Sequence, residues 1–339
     1  MPANEPNPGL FFDTISGYQR AYVLNAALDI GLFTAIADGF ITPEAIATHT
    51  HASPRGVRIL CDHLAVQGFL TKTALPPHPA YALTHDSAVF LNEHSPAYVG
   101  AVRLFFLNDE LTSGFRNATK AVRTGRTALT GQGTVDFDDP VWKDFARAMM
   151  PMMMPASVYM AQQLASLNPC RVLDIAASHG AFGISIVRAN PAAHVTALDF
   201  PGVLPVTREH VAVAGLNANF SFIEGDAFEV DLEGPYDVIL LPNLLHHFSP
   251  ARNITLLKRL LPALAPGGRV MTLEFVPNED RITPPVSASF AMVMLASTAE
   301  GDAYTLAEFE EMFHAAGFAR NEIADVPHSM EQLITSWAG

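Results

Sequence analysis

Four groups of residues have the types and spacing to do chemistry. In Arg171 to Phe200 (RVLDIAASHGAFGISIVRANPAAHVTALDF), the tiny-residue cluster Ala176-Ala177-Ser178-His179-Gly180-Ala181 follows an apolar run, and Asp199 ends the next one. Small side chains let a ligand lie against backbone at a helix N-terminus, and a carboxylate at a strand end accepts hydrogen bonds from ribose hydroxyls. Gly225-Asp226-Ala227-Phe228 adds a second carboxylate, suited to an adenine amine. Pro242 to Phe248 carries the tandem His246-His247, and an imidazole near neutrality suits proton abstraction from a hydroxyl. Finally, Val141 to Gln163 concentrates Trp142, Phe145, Met149, Met152, Met153, Met154 and Met160. Such side chains fill cores but also line pockets for flat apolar ligands. The prolines at 151 and 155 bend this stretch, so pocket lining is expected for part of it.

These residues alone leave the chemistry open. Ser178-x-Gly180-x-x-Gly183 is one residue short of the dinucleotide fingerprint, and Asp199 sits where an NAD ribose would want it, so an oxidoreductase is a live alternative. The histidine pair could be a strand-end pair satisfied by backbone, or metal ligands. Adjacent histidines point apart on extended backbone, and no Cys/His/Asp cluster at ligand spacing accompanies them, so no metal is expected.

The elements that must position these groups alternate strand and helix. Val172, Leu173 and Ile175 begin the first strand of an α/β unit. A helix runs to Asn190, Pro191 breaks it, and a second strand covers His194 to Leu198. The alternation continues through a helix from Val203 to Ala214 and a strand from Phe220 to Ile223. The buried-type strand Tyr236 to Leu241, a helix from Pro250 to Leu264 and a strand from Arg269 to Phe275 follow. A helical insertion at Pro285 to Leu295 precedes a helix from Thr305 to Ala316. Two last β runs, Asn321 to Val326 and Glu331 to Trp337, are joined too tightly for a crossover helix and must pair antiparallel.

The N-terminal third reads differently. After a loose arm over residues 1–9, a helical pattern spans Leu10 to about Ile36, with Gly31 as a break. Thr42-Pro43 and Ser53-Pro54 each read as an N-cap followed by proline, the second opening a helix with Val57, Leu60, Leu64 and Val66. Two short β runs around a Pro-rich tip complete a winged-helix plan. Residues 1–100 hold four basic against eight acidic residues, a net charge of −4, and the whole chain has −14. That is the wrong sign for phosphate contacts, so neither nucleic acid nor an anionic membrane is expected as a partner, and a DNA-binding, ligand-sensing regulator is the weaker reading. No apolar run is long enough to span a bilayer, MPANEPNPGLFF is a poor signal peptide, and Cys61 and Cys170 read as buried reduced thiols. A cytoplasmic protein is expected. Thr124 to Asp139, rich in Gly, Thr and Asp, is expected to be a surface excursion.

The motifs in order resemble the class I S-adenosylmethionine-dependent O-methyltransferases, specifically the caffeate/acetylserotonin and bacterial polyketide O-methyltransferase family. They are Leu173-Asp174 with its small-residue turn, Asp199-Phe200-Pro201, Gly225-Asp226-Ala227-Phe228, Leu245-His246-His247-Phe248, Leu264-Ala265-Pro266-Gly267-Gly268, and Phe309 to Phe318. The resemblance covers nearly the whole chain. It implies an α/β fold, a Rossmann-like methyltransferase sheet with a C-terminal antiparallel hairpin, plus an N-terminal all-α/winged-helix dimerisation domain. It divides the chain into residues 1–100, a helical pocket segment 101–165, and a cofactor-binding catalytic domain 166–339. It further implies S-adenosylmethionine as cofactor, a homodimer, and transfer of methyl to a hydroxyl of a small aromatic or polyketide-like molecule. Carbon methylation, or a non-methylating enzyme of the same fold, is the alternative.

By resemblance, Asp199 would hold the ribose, Asp226, Ala227 and Phe228 the adenine, and Phe200 would belong to the same cofactor set. Ala176, Ser178 and Gly180 would pass the methionine part, with Asn243 completing the cofactor set. His246 would be the general base and Glu274 a flanking carboxylate. Trp142, Phe145, Met149, Met292 and Met294 would face the acceptor, and no charged side chain stands out as its anchor. Three positions depart from the family pattern: Ala176-Ala177-Ser178 replaces Gly-x-Gly, His247 replaces an acidic residue, and Ala303, beside Asp302, stands at a second carboxylate's place. Ala and Ser take positive φ less readily than Gly, so looser or displaced binding of the cofactor's carboxylate end is expected.

Overall fold

The computed structural model describes residues 6–74, 79–167 and 170–338. The start of the expected N-terminal arm and the Pro-rich tip of the wing lie outside them. The chain divides into two compact units, Met1–Arg103 and Leu104–Gly339.

In the first unit, the helical stretch expected to break at Gly31 is three helices, Gly9–Ile15, Gly17–Asp29 and Leu32–Ala37, with a further break near Ser16. Gly31 stands between the last two at φ 67°, a left-handed conformation that glycine adopts without a Cβ clash. Thr42 and Ser53 cap the helices Pro43–His49 and Pro54–Val66 as their sequences require, each side chain accepting from the backbone N–H three residues on. The second helix buries Val57, Cys61 and Leu64 at helical spacing, whereas Val66, expected on that stripe, is exposed. The strands β1 (Leu70–Ala74) and β2 (Ala80–Leu83) pair antiparallel. Arg58 and Lys72 both turn onto the Asp62 carboxylate, which also accepts from the Tyr81 hydroxyl. Leu10, Phe11, Phe12, Ile15 and Tyr18 remain well exposed.

The second unit is built on seven strands. They are β3 (Arg171–Ile175), β4 (His194–Asp199), β5 (Phe220–Glu224), β6 (Tyr236–Pro242), β7 (Leu264–Glu274), β8 (Phe318–Asp325) and β9 (Gln332–Ala338), in spatial order β5-β4-β3-β6-β7-β9-β8. The first five are parallel, and β9 inserts antiparallel between β7 and β8. Their apolar runs are buried because helices cover them: Val172, Leu173, Val195, Ala197 and residues 238–241 are essentially inaccessible. Strand order reverses between β3 and β6, which opens a crevice beyond their carboxyl ends. The helix Pro250–Leu260 stops earlier than its apolar pattern implies. Pro262, which has no N–H to continue the ladder, turns it into the short 3₁₀ segment Leu261–Ala263, and Leu264 already pairs with Tyr236.

The stretch Thr124 to Asp139, expected as a surface excursion, is exposed at 124–126, 130–132 and Phe137 but anchored at two points. Thr127 donates its hydroxyl to the Ala296 carbonyl at 2.6 Å, the Thr134 N–H bonds Ser297, and both threonines are buried. Gly133 is required there, since a Cβ would lie 2.1 Å from the Ser297 carbonyl oxygen. Its many small polar residues serve backbone docking against the helix Pro285–Ser297, a role that composition cannot distinguish from solvation.

Candidate active site

One side of the crevice is made by strand ends. After β3 the chain turns through Ala176 and Ser178 at φ 55° and 52°. The expected reluctance of Ala and Ser to take positive φ is overcome by bonds to every side of the turn. Ala177 N–H donates to the Leu198 carbonyl, Ser178 N–H to Asp199 Oδ2 at 2.7 Å, and Gly180 N–H to the Ala177 carbonyl. The Thr207 hydroxyl donates to the Ser178 carbonyl at 2.5 Å. Asp199 also accepts from the Phe200 N–H at 2.7 Å, and its buried carboxyl is pushed up to about 6 by desolvation, which those two N–H groups oppose. Gly180, at φ 72°, supports the turn from beneath and is absent from the cavity wall. The Ser178 hydroxyl is buried without a partner in that wall. His179 was missed by sequence reading. Its Nδ1 accepts from Ala181 N–H, its ring lines the cavity, and burial lowers its pKa to about 3. Asp226, Ala227 and Phe228 follow β5 and line the same space, with Phe228 N–H on Asp226 Oδ1.

His246 and His247 overturn the expectation drawn from extended backbone. They lie on a 3₁₀ turn, Leu245–His247, and both line the cavity with ring centroids 4.2 Å apart. Glu274, the last residue of β7, is fully buried beneath them. Its Oε1 accepts from the N–H of Leu245 at 2.8 Å and of His246 at 3.3 Å, and its Oε2 lies 2.5 Å from His246 Nδ1. Burial drives the imidazole down to about 3 and the carboxyl up to about 8, with the backbone N–H groups pulling the carboxyl back. Burial thus disfavours the charged form of each group, while the 2.5 Å contact has room for one proton between Nδ1 and Oε2. Asp302 is elsewhere: its carboxylate faces Arg281, and it meets His246 only through its N–H on the histidine carbonyl at 3.0 Å.

The opposite wall is apolar. The cavity has a volume of about 710 Å³ and belongs wholly to the second unit. Trp142, Phe145 and Met149 line it as expected residues of one helical face. Trp142 is oriented by its Nε1–H on the Thr134 carbonyl at 2.7 Å, and its ring meets His247 edge-on at 5.0 Å. Of the two methionines expected from the helix Pro285–Ser297, Met294 lines the cavity and Met292 does not. Val286, Ser289, Phe290, Val293, Met294 and Ser297 form the facing stripe, and Met292 lies off that periodicity. Phe290 meets the His246 ring edge-on at 4.8 Å and stacks on Phe275 at 4.1 Å. Phe105 and Glu331, also in the wall, carried no sequence signal.

Whether these residues fit a nucleoside cofactor is answered by the polar atoms they leave over. Ser178 Oγ and Asn243 Oδ1 have no hydrogen-bond partner among the described residues, and both residues, like Asp199 and Asp226, line the cavity. The set fits. Fold and site define an α/β enzyme that holds a nucleoside-bearing cofactor at the switch point of its sheet, opposite an apolar chamber with a histidine–carboxylate pair. Comparison with known proteins narrows the class. The O-methyltransferase domain model matches residues 131–319, and the O-methyltransferase dimerisation domain model matches residues 12–93. Acetylserotonin O-methyltransferase of Mus musculus molossinus is 29% identical over 91% of this chain and 83% of its own length. The 3-hydroxy-5-methyl-1-naphthoate 3-O-methyltransferase of Streptomyces sahachiroi is 28% identical over 93% and 91%. A Nostoc punctiforme crystal structure described as an O-methyltransferase superposes with a TM-score of 0.93 at 44% identity, covering 98% of this chain and all of the other. Human N-acetylserotonin methyltransferase in complex with S-adenosylmethionine shares the fold, with a TM-score of 0.87 at 23% identity and full coverage of both chains. The chain belongs to the O-methyltransferase family and is an S-adenosylmethionine-dependent methyltransferase. The dinucleotide oxidoreductase and the ligand-sensing regulator are thereby set aside.

Proposed function

We propose that the enzyme methylates a hydroxyl of a small aromatic or polyketide-like acceptor, with His246 as general base and Glu274 as its positioning carboxylate. The observation that carries this reading is the 2.5 Å contact between His246 Nδ1 and Glu274 Oε2 at the wall of an aromatic cavity. S-adenosylmethionine supplies, when bound, a sulfonium methyl that is already an activated electrophile. Asp199 accepts the ribose hydroxyls on the lone pairs that Ser178 and Phe200 leave free, and Asp226 with Ala227 and Phe228 frames the adenine. Ala176, Ser178 and Asn243 complete the cofactor wall, while Gly180 shapes the turn. In the form where Glu274 is ionised and accepts from Nδ1–H, His246 Nε2 carries no proton and takes that of the acceptor hydroxyl. Glu274 stabilises the imidazolium so formed. Trp142, Phe145, Met149, Phe290 and Met294 hold the planar acceptor and exclude water, and alignment of the two reactants supplies much of the rate.

The relatives support this acceptor class: one acts, by its name, on acetylserotonin and another on a hydroxynaphthoate. A homodimer through the first unit is supported by its dimerisation-domain match and by its exposed Leu10, Phe11, Phe12 and Ile15. Among the described residues, no helix is long and apolar enough to cross a membrane. A cytoplasmic site is supported by two free, buried thiols, whose pKa values burial raises to about 12 at Cys61 and about 11 at Cys170. The test is incubation with methyl-labelled cofactor and a panel of phenols and naphthols, followed by product structure. A labelled methyl ether is expected. Label on ring carbon would overturn O-methylation in favour of carbon transfer, and size-exclusion light scattering at monomer mass would overturn the dimer.

A further inference from the structure

Glu331 is a carboxylate in the cavity wall for which the chemistry above has no use. It is 4% exposed, stands just before β9, and lines the cavity beside Met330, Phe275 and Phe290. Its Oε2 accepts from the Ser329 hydroxyl at 2.7 Å, and its Oε1 has no partner. Asn243 stands within bonding reach of this carboxylate, yet its own Oδ1 is also unpartnered, while its Nδ2 rests 3.4 Å from the Met153 sulfur. Turning the amide over would offer Nδ2 to Glu331 and leave Oδ1 toward the sulfur. As oriented, Glu331 Oε1 stays bare; turned over, Asn243 Oδ1 does, and the carboxylate still keeps lone pairs for a further donor. An unsatisfied buried carboxylate is destabilising, and a ligand donor removes that cost. Desolvation accordingly raises the Glu331 pKa, with the Ser329 and Asn243 side chains opposing it.

We propose that Glu331 recognises the acceptor by taking a hydrogen bond from a second O–H or N–H donor, at a ring position other than the one methylated. The acceptor is therefore a planar apolar molecule with two donors rather than a simple monophenol. This rests on the O-methyltransferase reading of the cavity. A merely structural role, with Ser329 and Glu331 bracing the turn into β9, makes the opposite forecast.

The test is binding of dihydroxynaphthalene isomers and their matching mono-naphthols to the full-length protein saturated with S-adenosylhomocysteine. It is read by calorimetry for the native chain, Glu331→Gln and Glu331→Leu. At least one diol is expected to bind about tenfold tighter than its naphthol. That advantage should shrink in Glu331→Gln and fall to about twofold or less in Glu331→Leu, without loss of melting temperature or of S-adenosylhomocysteine affinity. The proposal is overturned if the native protein prefers no diol, or if the preference survives Glu331→Leu. It is equally overturned if both variants lose melting temperature and naphthol affinity together while the ratio stays fixed, which marks a strut. Methyl transfer from labelled donor is followed in parallel. Preference without transfer sinks the O-methylation reading alone, and transfer without preference sinks the role of Glu331 alone.

Discussion

The two walls of the cavity are made in different ways. The wall we propose for the cofactor is strand ends and tight turns, where backbone groups do the positioning: Ser178 and Phe200 N–H on Asp199, Leu245 and His246 N–H on Glu274, Phe228 N–H on Asp226. The acceptor wall is helix faces, where Trp142, Phe145, Phe290, Val293 and Met294 meet the cavity as side chains. A backbone-built site tolerates little change, because each bond also holds the turn. A side-chain-built site can be reshaped residue by residue while the fold stands. One wall can therefore keep a single cofactor while the other is fitted to different acceptors.

This contrast can be broken by mutation. The largest effect is expected at the seam between the walls: His246→Ala should lower kcat by about 10²- to 10⁴-fold while S-adenosylhomocysteine affinity, read by calorimetry, stays unchanged. Unaltered turnover would remove the base from the mechanism. Next, Asp199→Ala should weaken S-adenosylhomocysteine about 10- to 100-fold, since it deletes charged acceptors and frees two buried N–H groups at once. Equal cofactor affinity in that variant would show that the ribose lies elsewhere.

The third expectation concerns pH. Asp174 is buried near the end of β3, and desolvation raises its pKa to about 7, opposed by the Gly183 N–H. A carboxyl whose folded pKa exceeds its unfolded value of 3.8 binds its proton more tightly when folded. Its contribution is therefore fully present below about pH 4 and is lost as pH rises through about 7. Asp174→Asn should raise the melting temperature at pH 8 and flatten its fall between pH 5 and 8, with a difference of about 1–3 kcal/mol. A steeper fall would contradict the assignment. Smaller still, Ser178→Gly should relieve left-handed strain and raise stability by about 1 kcal/mol in denaturant titrations. The smallest effect sharpens the other wall: Val293→Ala should change acceptor KM several-fold, whereas Met292→Leu, off the facing stripe, should stay within about 1.5 kcal/mol in stability and leave KM alone. Equal effects of the two substitutions would erase the distinction between face and flank.

Much of the cofactor wall was legible because its determinants are local. A small-residue turn between β3 and its helix, an acid closing β4 and Gly225-Asp226 after β5 lie next to the elements that aim them. The hairpin β8–β9 followed from a connection too short for a crossover. The acceptor wall was legible only by period. Trp142, Phe145 and Met149 share a helical face and were found, while Met292 was chosen for its residue type and faces elsewhere. Two points were missed by treating segments in isolation: the anchoring of the excursion Thr124 to Asp139 at Thr127 and Thr134, and the histidines, which do not lie on extended backbone.

By itself, then, the sequence determined the alternation of strands and helices, the strand-end acids and the small-residue turn at the cavity wall, because hydrophobic period and turn chemistry act over a few residues. Only the tertiary structure decided that His246 rests on Glu274 across 28 positions, that Ala176 and Ser178 hold positive φ, and that Glu331 enters the cavity beside Asn243. Those are contacts between distant segments. They exist because sheet order and burial bring the ends of β6, β7 and β9 to one edge, where desolvation gives each polar atom its consequence.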